Sequence, residues 1–468
     1  MVKEYDIIAF GTGSAMNIVS ELIYMYPNIK VAVVENEMVG GICLTRGCIP
    51  SKKLLYAAEV MHEIKRAHLF NIYVGSVKTD PSALLRRVRE EIRHESMIIE
   101  KSLREHPRID LYKTTGTFVE DYTVDVGGKE IRGEKILLCT GSRPYVPPIK
   151  GLDEVGYITS REFFYYLKEI PKSIVIVGGG YVALELGFFM AMMGSKVTIV
   201  GRNPRIIPTE EPEVSELLKR EMMNFMDIYT GYEVVEAYRR GDKKRIHAVH
   251  RETGDTLEVD ADEILVATGR RSNSDITKPE KTGVEIDSKG WIKTDEYLES
   301  SKENIWAFGD ANGKYLFKHV ANHESEIVFY NAFLGRRIPV DYHAVPHAIF
   351  TYPEVASVGM KQEEAEKKHD ILVGYYKYED TAKGDAMRVK DYFVKVIVER
   401  DTYRILGAHI IGPHASILIQ EIINLMYTHD MSALPLLRAM HIHPALPEVV
   451  QRAFFHLHEP EAWKHHEH

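Results

Sequence analysis

The chain opens on an apolar run, YDIIAF at 5–10, followed by a glycine turn, a helical stretch to about Tyr26, and a second apolar run, KVAVVE, ending at Glu35. Short apolar runs bounded by turn residues read as buried strands, and strand, glycine turn, helix, strand is the grammar of a βαβ nucleotide-binding unit. That grammar returns at SIVIVGGG (173–180), followed by the apolar helix YVALELGFFMAMMG and the strand KVTIV, ending at Val200. Between the two units lie a charged helical stretch at about 51–105, some short strand-like pieces, and RPYVPPIKG (143–151). Three prolines in that last segment predict a crossing between domains. EILVATG (263–269) and IWAFGDANG (305–313) are further strand-and-turn patterns, the first closing the second unit. From about Pro339 the texture changes to FTYPEVASVG, the alternating strand DYFVKVIVE, ILGAHIIGP and the apolar helix ILIQEIINLMYT, which predicts a separate α+β domain. The expected class is α/β with two nucleotide-binding units and a third domain.

Length and composition agree with this picture and narrow the chemistry. At 468 residues the chain is too long for one core, and two or three domains are expected. The balance of 59 basic against 68 acidic residues shows no excess that would favour polyanions, so no nucleic-acid partner is expected. No apolar run approaches the ~18 residues of a membrane-crossing helix, and the N-terminus, with Lys3, Glu4 and Asp6 ahead of Ile7, lacks a signal pattern. The expectation is a cytoplasmic protein with no membrane contact. Three cysteines are too few for a disulfide scaffold, so the close pair Cys43 and Cys48 is read as redox-active or metal-binding. The histidine-rich end, WKHHEH at 463–468, reads as a frayed or added tail rather than a metal site.

GTGSAM (11–16) follows a strand and opens a helix, so backbone N–H groups there can meet a pyrophosphate, with Gly11 making the turn, Gly13 allowing close approach and Ser14 beside them. The third glycine of the usual pattern is Met16. Glu35, at the end of the next strand, is placed to accept from a ribose hydroxyl, and together these residues predict an ADP-bearing cofactor. GGGYVALE (178–185) repeats the turn with Gly178, Gly180 and Ala183. Where an NAD site would carry an acid, the chain has Gly201, then Arg202 and Arg205; guanidinium groups bind a 2′-phosphate, so NADPH is expected, with NADH possible.

GGICLTRGCIPSKK (40–53) sets its cysteines five residues apart. An ideal helix would hold their Cα atoms roughly 8.6 Å apart, beyond the ~7 Å a disulfide tolerates, so a bridge must distort the first helical turn. A strained bridge at a helix N-terminus is easily reduced, which suits a redox pair; a metal would need two further ligands, and none stands at zinc-like spacing, so no metal is expected. Cys139, inside KILLCTG, reads as a small core residue. HIHPALPE (441–448) offers His443 with Glu448, the pairing a general acid/base needs to serve a thiolate.

Taken together, the first glycine turn with Glu35, CxxxxC followed by IPSK, GGGYxxxE, ATGRRSN (267–273), AFGD (307–310), FTYPEVASVG and HPALPE resemble the class I flavoprotein disulfide reductases over essentially the whole chain. The resemblance implies two Rossmann-like domains and an α+β dimerisation domain: an FAD domain at 1–148 and 263–338, an NAD(P) domain at 149–262, and an interface domain at 339–468. It also implies a homodimer whose sites join residues of both subunits. By position, Cys48 matches the flavin-proximal thiolate and Cys43 the sulfur that attacks a disulfide substrate. His443 would reach in from the partner subunit, oriented by Glu448. Lys52 matches a lysine near the flavin, Glu185 its ion-pair partner, and Tyr181 an aromatic gate over the flavin. Asp310 matches the ribityl-binding aspartate, and His319 a position near the flavin's pyrimidine side. Gly41, Thr140, Gly141, Gly269 and Arg270 fall in the cofactor-binding motifs.

Within the family, GTGSAMN, KHVANHE (318–324) and HPALPEVV look closest to mycothione reductase, which implies NADPH-driven reduction of a small-molecule disulfide. CIPSK and the histidine dyad are shared with dihydrolipoamide dehydrogenase, which acts on lipoyl groups carried by a multienzyme complex; that alternative stays open. Mercuric reductase is less favoured, because its typical C-terminal cysteine pair does not occur. Arg46, between the cysteines, is read equally as an anion or thiol-tuning residue and as a surface arginine.

Overall fold

The computed structural model describes residues 2–460, so the tail at 463–468 lies outside the described residues. Its first sheet runs Ile109–Tyr112, Val31–Val34, Lys3–Phe10, Glu130–Leu138, Thr123–Val126, Gly116–Glu120, with Ile305–Ala307 also on Glu130–Leu138. The strands from Ile109–Tyr112 to Glu130–Leu138, and Ile305–Ala307, pair in parallel, while Gly116–Glu120 and Thr123–Val126 form an antiparallel meander with Glu130–Leu138. Alternation along Lys3–Phe10 explains the layering. Ile7 and Ala9 pack with Ile18, Val19 and Leu22 of the helix Ala15–Met25, while Ile8 and Phe10 pack with Phe118 and Val124 of the meander. Both faces are covered, which is why the run is apolar throughout.

The second unit repeats this plan. Asp227–Thr230, Lys196–Gly201, Ser173–Val177 and Glu263–Val266 form a parallel sheet, and Tyr232–Arg240, Lys243–His250 and Thr256–Ala261 a meander beside it. Ile174 and Ile176 face the helix Tyr181–Met192, and Val175 and Val177 face Val234, Ala237, Ile246 and Ala248. Glu263–Val266 is therefore kept by the second sheet, and the expected return at 263 comes one strand too early. The chain leaves the first unit through Ser142–Pro144 and comes back through Arg270–Ser272, and these two segments pair antiparallel.

The C-terminal domain is a six-stranded antiparallel sheet in the order Pro346–Ile349, Val355–Gly359, Ile405–Ile411, Phe393–Glu399, Ile371–Lys377, Leu457–His458, packed by the helices Ala415–Met426 and Pro447–Phe455. One continuous core joins Leu54 and Leu55 of the helix Cys48–Arg66, nearly all of the helix Tyr181–Met192, and the inner face of this sheet. Tyr181–Met192 has no polar face because it is enclosed by the helix Cys48–Arg66, the second sheet and the C-terminal domain.

Candidate active site

A single cleft runs along the C-terminal ends of the first sheet's strands, the place where open α/β sheets bind ligands. It is lined by Gly11, Gly13, Ser14, Glu35, Gly41, Cys43, Cys48, Lys52, Thr140, Gly141, Tyr181, Glu185, Arg270 and Asp310, so most of the residues expected at the site are brought together here. At Glu35, the Thr12 N–H and hydroxyl donate to Oε2 at 3.1 and 2.7 Å, and the Glu37 N–H donates to Oε1 at 2.9 Å. The Gly40 N–H donates to Thr12 Oγ1 at 2.8 Å, which ties the thiol segment to the phosphate turn. Asp310 accepts from the Ser142 hydroxyl, and Arg270 is 3.5 Å away, itself donating to Ser142 Oγ and O at 2.6 and 2.8 Å.

The two cysteines are not on one helix. Gly41–Arg46 and Cys48–Arg66 are separate helices broken at Gly47. A Cβ on Gly47 would stand 2.9 Å from the Ile42 carbonyl oxygen, so the break depends on glycine there. The departure from one ideal helix takes the form of a break: the chain folds back on itself and brings the sulfurs within hydrogen-bonding reach as free thiols. The pair is electrically asymmetric. The hydrogen bond from Cys43 lowers the Cys48 thiol to about 7 against the opposing effect of burial, with help from the Lys52 ammonium and the helix N-terminus. Cys43, left holding the shared proton by its hydrogen bond with Cys48 and itself partly buried, is pushed up.

Lys52 Nζ meets Glu185 Oε1 and Oε2 at 2.9 and 2.7 Å, and lies 4.4 Å from the centre of the Phe350 ring. The Phe350 N–H donates to Glu185 Oε1 at 3.1 Å, so a residue of the C-terminal domain holds this pair in place. Arg46 is no free surface arginine. Its Nη1 lies 2.6 Å from Glu37 Oε2 and donates to the Tyr165 hydroxyl at 2.9 Å.

Other expected residues lie elsewhere. His319 does not line the cleft; it is bonded through Nε2 to the Pro346 carbonyl at 2.8 Å and stacked on Phe317, which does. Gly269 follows the strand Glu263–Val266 at a φ of 120° and does not line the cleft. Gly178 and Gly180 form the second turn, and Arg202 and Arg205 are exposed on the loop after Lys196–Gly201. His443 and Glu448 form a dyad, Nδ1 to Oε1 3.0 Å and to Oε2 3.2 Å, with the Ala445 N–H on Oε2 at 3.2 Å. That imidazole contact holds the Glu448 carboxyl below the usual range. The His443 side chain is 69% exposed and is absent from the cleft of its own chain. Exposed apolar side chains sit beside it, Met440 and Ile442, and also on the neighbouring helices, Ile417 and Phe455.

Thr12, Ser142 and Phe350 were missed by the sequence reading. Thr12 had a local signal, a hydroxyl inside the first glycine turn; Ser142 and Phe350 act across 168 and 165 residues, distances at which sequence carries no geometric cue.

Residues 5–325 match the pyridine nucleotide-disulphide oxidoreductase family, and 345–454 match its dimerisation domain. The chain belongs to this family, whose members are disulfide reductases that use FAD and NAD(P)H. It is 36% identical over 471 residues to mycothione reductase of Mycobacterium tuberculosis, covering 97% of this chain and all of that one. It is 31% identical to dihydrolipoyl dehydrogenase of Chlamydia muridarum, with 96% of each chain covered. Among solved structures, the copper(II) complex of the HOCl-induced flavoprotein disulfide reductase RclA from Escherichia coli superposes with a TM-score of 0.85 at 26% identity, over 97% of this chain and 100% of that one. Among the described residues, no helix is long and apolar enough to cross a membrane.

Proposed function

We propose that this protein is an NADPH-dependent reductase of a low-molecular-weight disulfide, of the mycothione reductase kind, with FAD on the first unit, NADPH on the second, and two copies joined through the domain from about 339. The observation that carries the choice of donor is the register of the two units. Phe10 pairs with Val34 and Val177 with Val200, so Gly201 occupies the position of Glu35. With no carboxylate at that position, and with Arg202 and Arg205 exposed on the loop that follows and in no ion pair among the described residues, a 2′-phosphate there has guanidinium groups at hand.

FAD suits the cleft: Thr140 Oγ1 is buried, lines it and has no protein partner, Glu35 stands among its lining residues ready for a ribose, and the thiols stand there with Lys52. Gly11 to Ser14, Glu35, Thr140, Gly141, Arg270 and Asp310 would hold the cofactor, which supplies two-electron transfer between nicotinamide and the cysteine pair. Once the pair is reduced, Cys48 is the thiolate and Cys43 keeps its proton. His443 of a second copy, oriented by Glu448, takes that proton, and the Cys43 sulfur attacks the substrate disulfide, forming a mixed disulfide and expelling one thiolate. His443 returns the proton to the leaving thiolate. The Cys48 thiolate then attacks Cys43, closing the Cys43–Cys48 bond and releasing the second half of the substrate as a thiolate, which takes its proton from solvent. The low thiol pKa of Cys48 favours it for this closing step at neutral pH.

Anaerobic steady-state turnover with NADPH and with NADH, each against lipoamide and against glutathione, coenzyme A, bis-γ-glutamylcystine and mycothione disulfides, tests the reading. Faster turnover with NADPH and one small disulfide is expected. Preferred use of NADH with lipoamide would instead make the protein a dihydrolipoamide dehydrogenase.

A further inference from the structure

Tyr181 is the first residue of its helix and lines the cleft with Glu185 and Lys52. Three contacts hold it, and two of them lead to one buried carboxylate. Its hydroxyl shares a hydrogen bond with Thr209 Oγ1 at 3.1 Å, and Thr209 Oγ1 lies 3.4 Å from Glu210 Oε1. Its ring lies nearly parallel to the His347 imidazole, centroids 5.8 Å apart and planes 21° apart, and His347 Nε2 meets the same Glu210 Oε1 at 2.6 Å. Phe317 is the third contact, its ring 6.2 Å from Tyr181 with planes 22° apart, and parallel to His347 to within 1° at 5.7 Å.

Glu210 is itself fixed from the C-terminal domain. Its side chain is fully buried, and Oε2 accepts from the Ser357 hydroxyl at 2.6 Å, which in turn meets His409 Nδ1 at 3.0 Å. Its neighbour Glu211 accepts from the Gln362 N–H at 2.5 Å and lies 3.2 Å from Lys395 Nζ. A buried carboxylate is tolerated only when its oxygens are satisfied, and here the His347 and Ser357 partners come from the C-terminal domain. Burial pushes the Glu210 carboxyl up, but the contacts with His347 and Ser357 and the nearby His409 outweigh it and hold it below the usual carboxylate range.

We propose that Glu210 and His347 are positioning residues that set the Tyr181 ring across the nicotinamide side of the cleft, so that the dimerisation domain governs how readily reduced nicotinamide displaces it. This rests on the reading of Tyr181 as a movable cover. To admit a nicotinamide, the ring must leave its stack on His347 and its hydroxyl must leave Thr209. The hold that Glu210 exerts on both partners sets the height of that step. The disulfide half of the reaction, at Cys43, does not involve the cover.

The test uses the flavin-loaded dimer and NADPH. Glu210→Gln and His347→Gln each loosen the hold; the KM for NADPH is expected to fall about threefold to tenfold, the scale of one weakened charge-assisted hydrogen bond. Oxidation of NADPH by oxygen in the absence of disulfide should rise, while the KM for the disulfide stays unchanged. Thr209→Val, on an exposed loop, breaks the hydroxyl arm alone and should act in the same direction with a smaller effect, which keeps the test open if a buried substitution fails to fold. In a Tyr181→Ala background, Glu210→Gln should add nothing. If Tyr181→Ala alters the NADPH half-reaction but Glu210→Gln, His347→Gln and Thr209→Val do not, the inference is wrong and the cover reading survives. Equal shifts in the NADPH and disulfide KM values would reduce the pair to a structural role and also overturn it. If Tyr181→Ala leaves the NADPH half-reaction untouched, the cover reading fails and takes this inference with it.

Discussion

At the ends of their first strands the two nucleotide turns are the same backbone built twice. The Gly11 N–H donates to the Val34 carbonyl at 2.8 Å, and the Gly178 N–H to the Val200 carbonyl at 2.8 Å. Both glycines hold positive φ, 86° and 126°, and a Cβ on either would collide with a carbonyl oxygen of the neighbouring strand's end, Cys139 in one case and Ala267 in the other. What differs is what the turn meets. In the first unit Thr12 and Glu35 bond to each other, and the thiol segment closes over the turn through Gly40 and Gly41. In the second, Gly179 and Gly201 face each other and the Ile207 N–H donates to the Gly179 carbonyl at 2.9 Å, but no carboxylate reaches the turn and a Cβ on Gly180 would meet open space. A closed turn suits a cofactor that stays; an open one suits a cofactor that comes and goes.

Breaking the shared backbone should have the largest effects and separate the two sites. Alanine at Gly11 or Gly178 combines positive φ with a backbone collision, a change worth more than about 2 kcal/mol locally. Gly11→Ala is expected to purify without flavin absorbance. Gly178→Ala should keep its flavin and lose more than about 100-fold in the rate of reduction by NADPH, read by stopped-flow bleaching. If both lose flavin, the two turns do not divide the cofactors as proposed.

The contrast in charge gives the next effect. Arg202→Glu with Arg205→Glu should lower the ratio of kcat/KM for NADPH over NADH by about 100-fold, two charge-assisted contacts being lost. Gly201→Glu transplants the acid of the first unit, within reach of the Gly179 N–H as Glu35 is of Thr12, and should move the same ratio about 10-fold towards NADH. At the first turn, Glu35→Gln should weaken flavin retention about 10-fold, measured by the free flavin released on dilution.

The smallest change sharpens how the thiol segment serves its turn. Cys48 is depressed to about 7 from an ordinary thiol value, so its thiolate is present above that pH and lost by protonation below it. Iodoacetamide labelling of the reduced protein should therefore rise with a midpoint near pH 7. Lys52→Met removes an ammonium that favours the thiolate and should move that midpoint upward, towards the ~8.5 of a free thiol.

Both βαβ units, the glycine turns and the cysteine pair were legible as sequence, because each is a local pattern whose spacing follows from strand and helix geometry. The unit boundary was less so. As a pattern, Glu263–Val266 reads as the close of the second unit, where it pairs with Ser173–Val177, some ninety residues earlier, whereas the domain bound drawn at 263 cuts it away from that sheet. The spacing of the cysteines showed that a bridge must depart from one ideal helix, but not that the departure is a break at Gly47, where the backbone leaves the helical region and a side chain would run into the Ile42 carbonyl.

Residue identity along the chain determined which groups exist: two nucleotide turns, one lacking the acid, a dithiol, a histidine with its carboxylate. Tertiary structure alone decided which of them meet. Lys52 finds Glu185 across 133 residues and Phe350 beyond it, Tyr181 and Glu210 find His347, and His443 is left outside the cleft of its own chain. Short-range order is set by backbone geometry within a few residues, whereas these contacts depend on how three separately folded layers share one apolar core, and that packing has no signature in any single stretch of sequence.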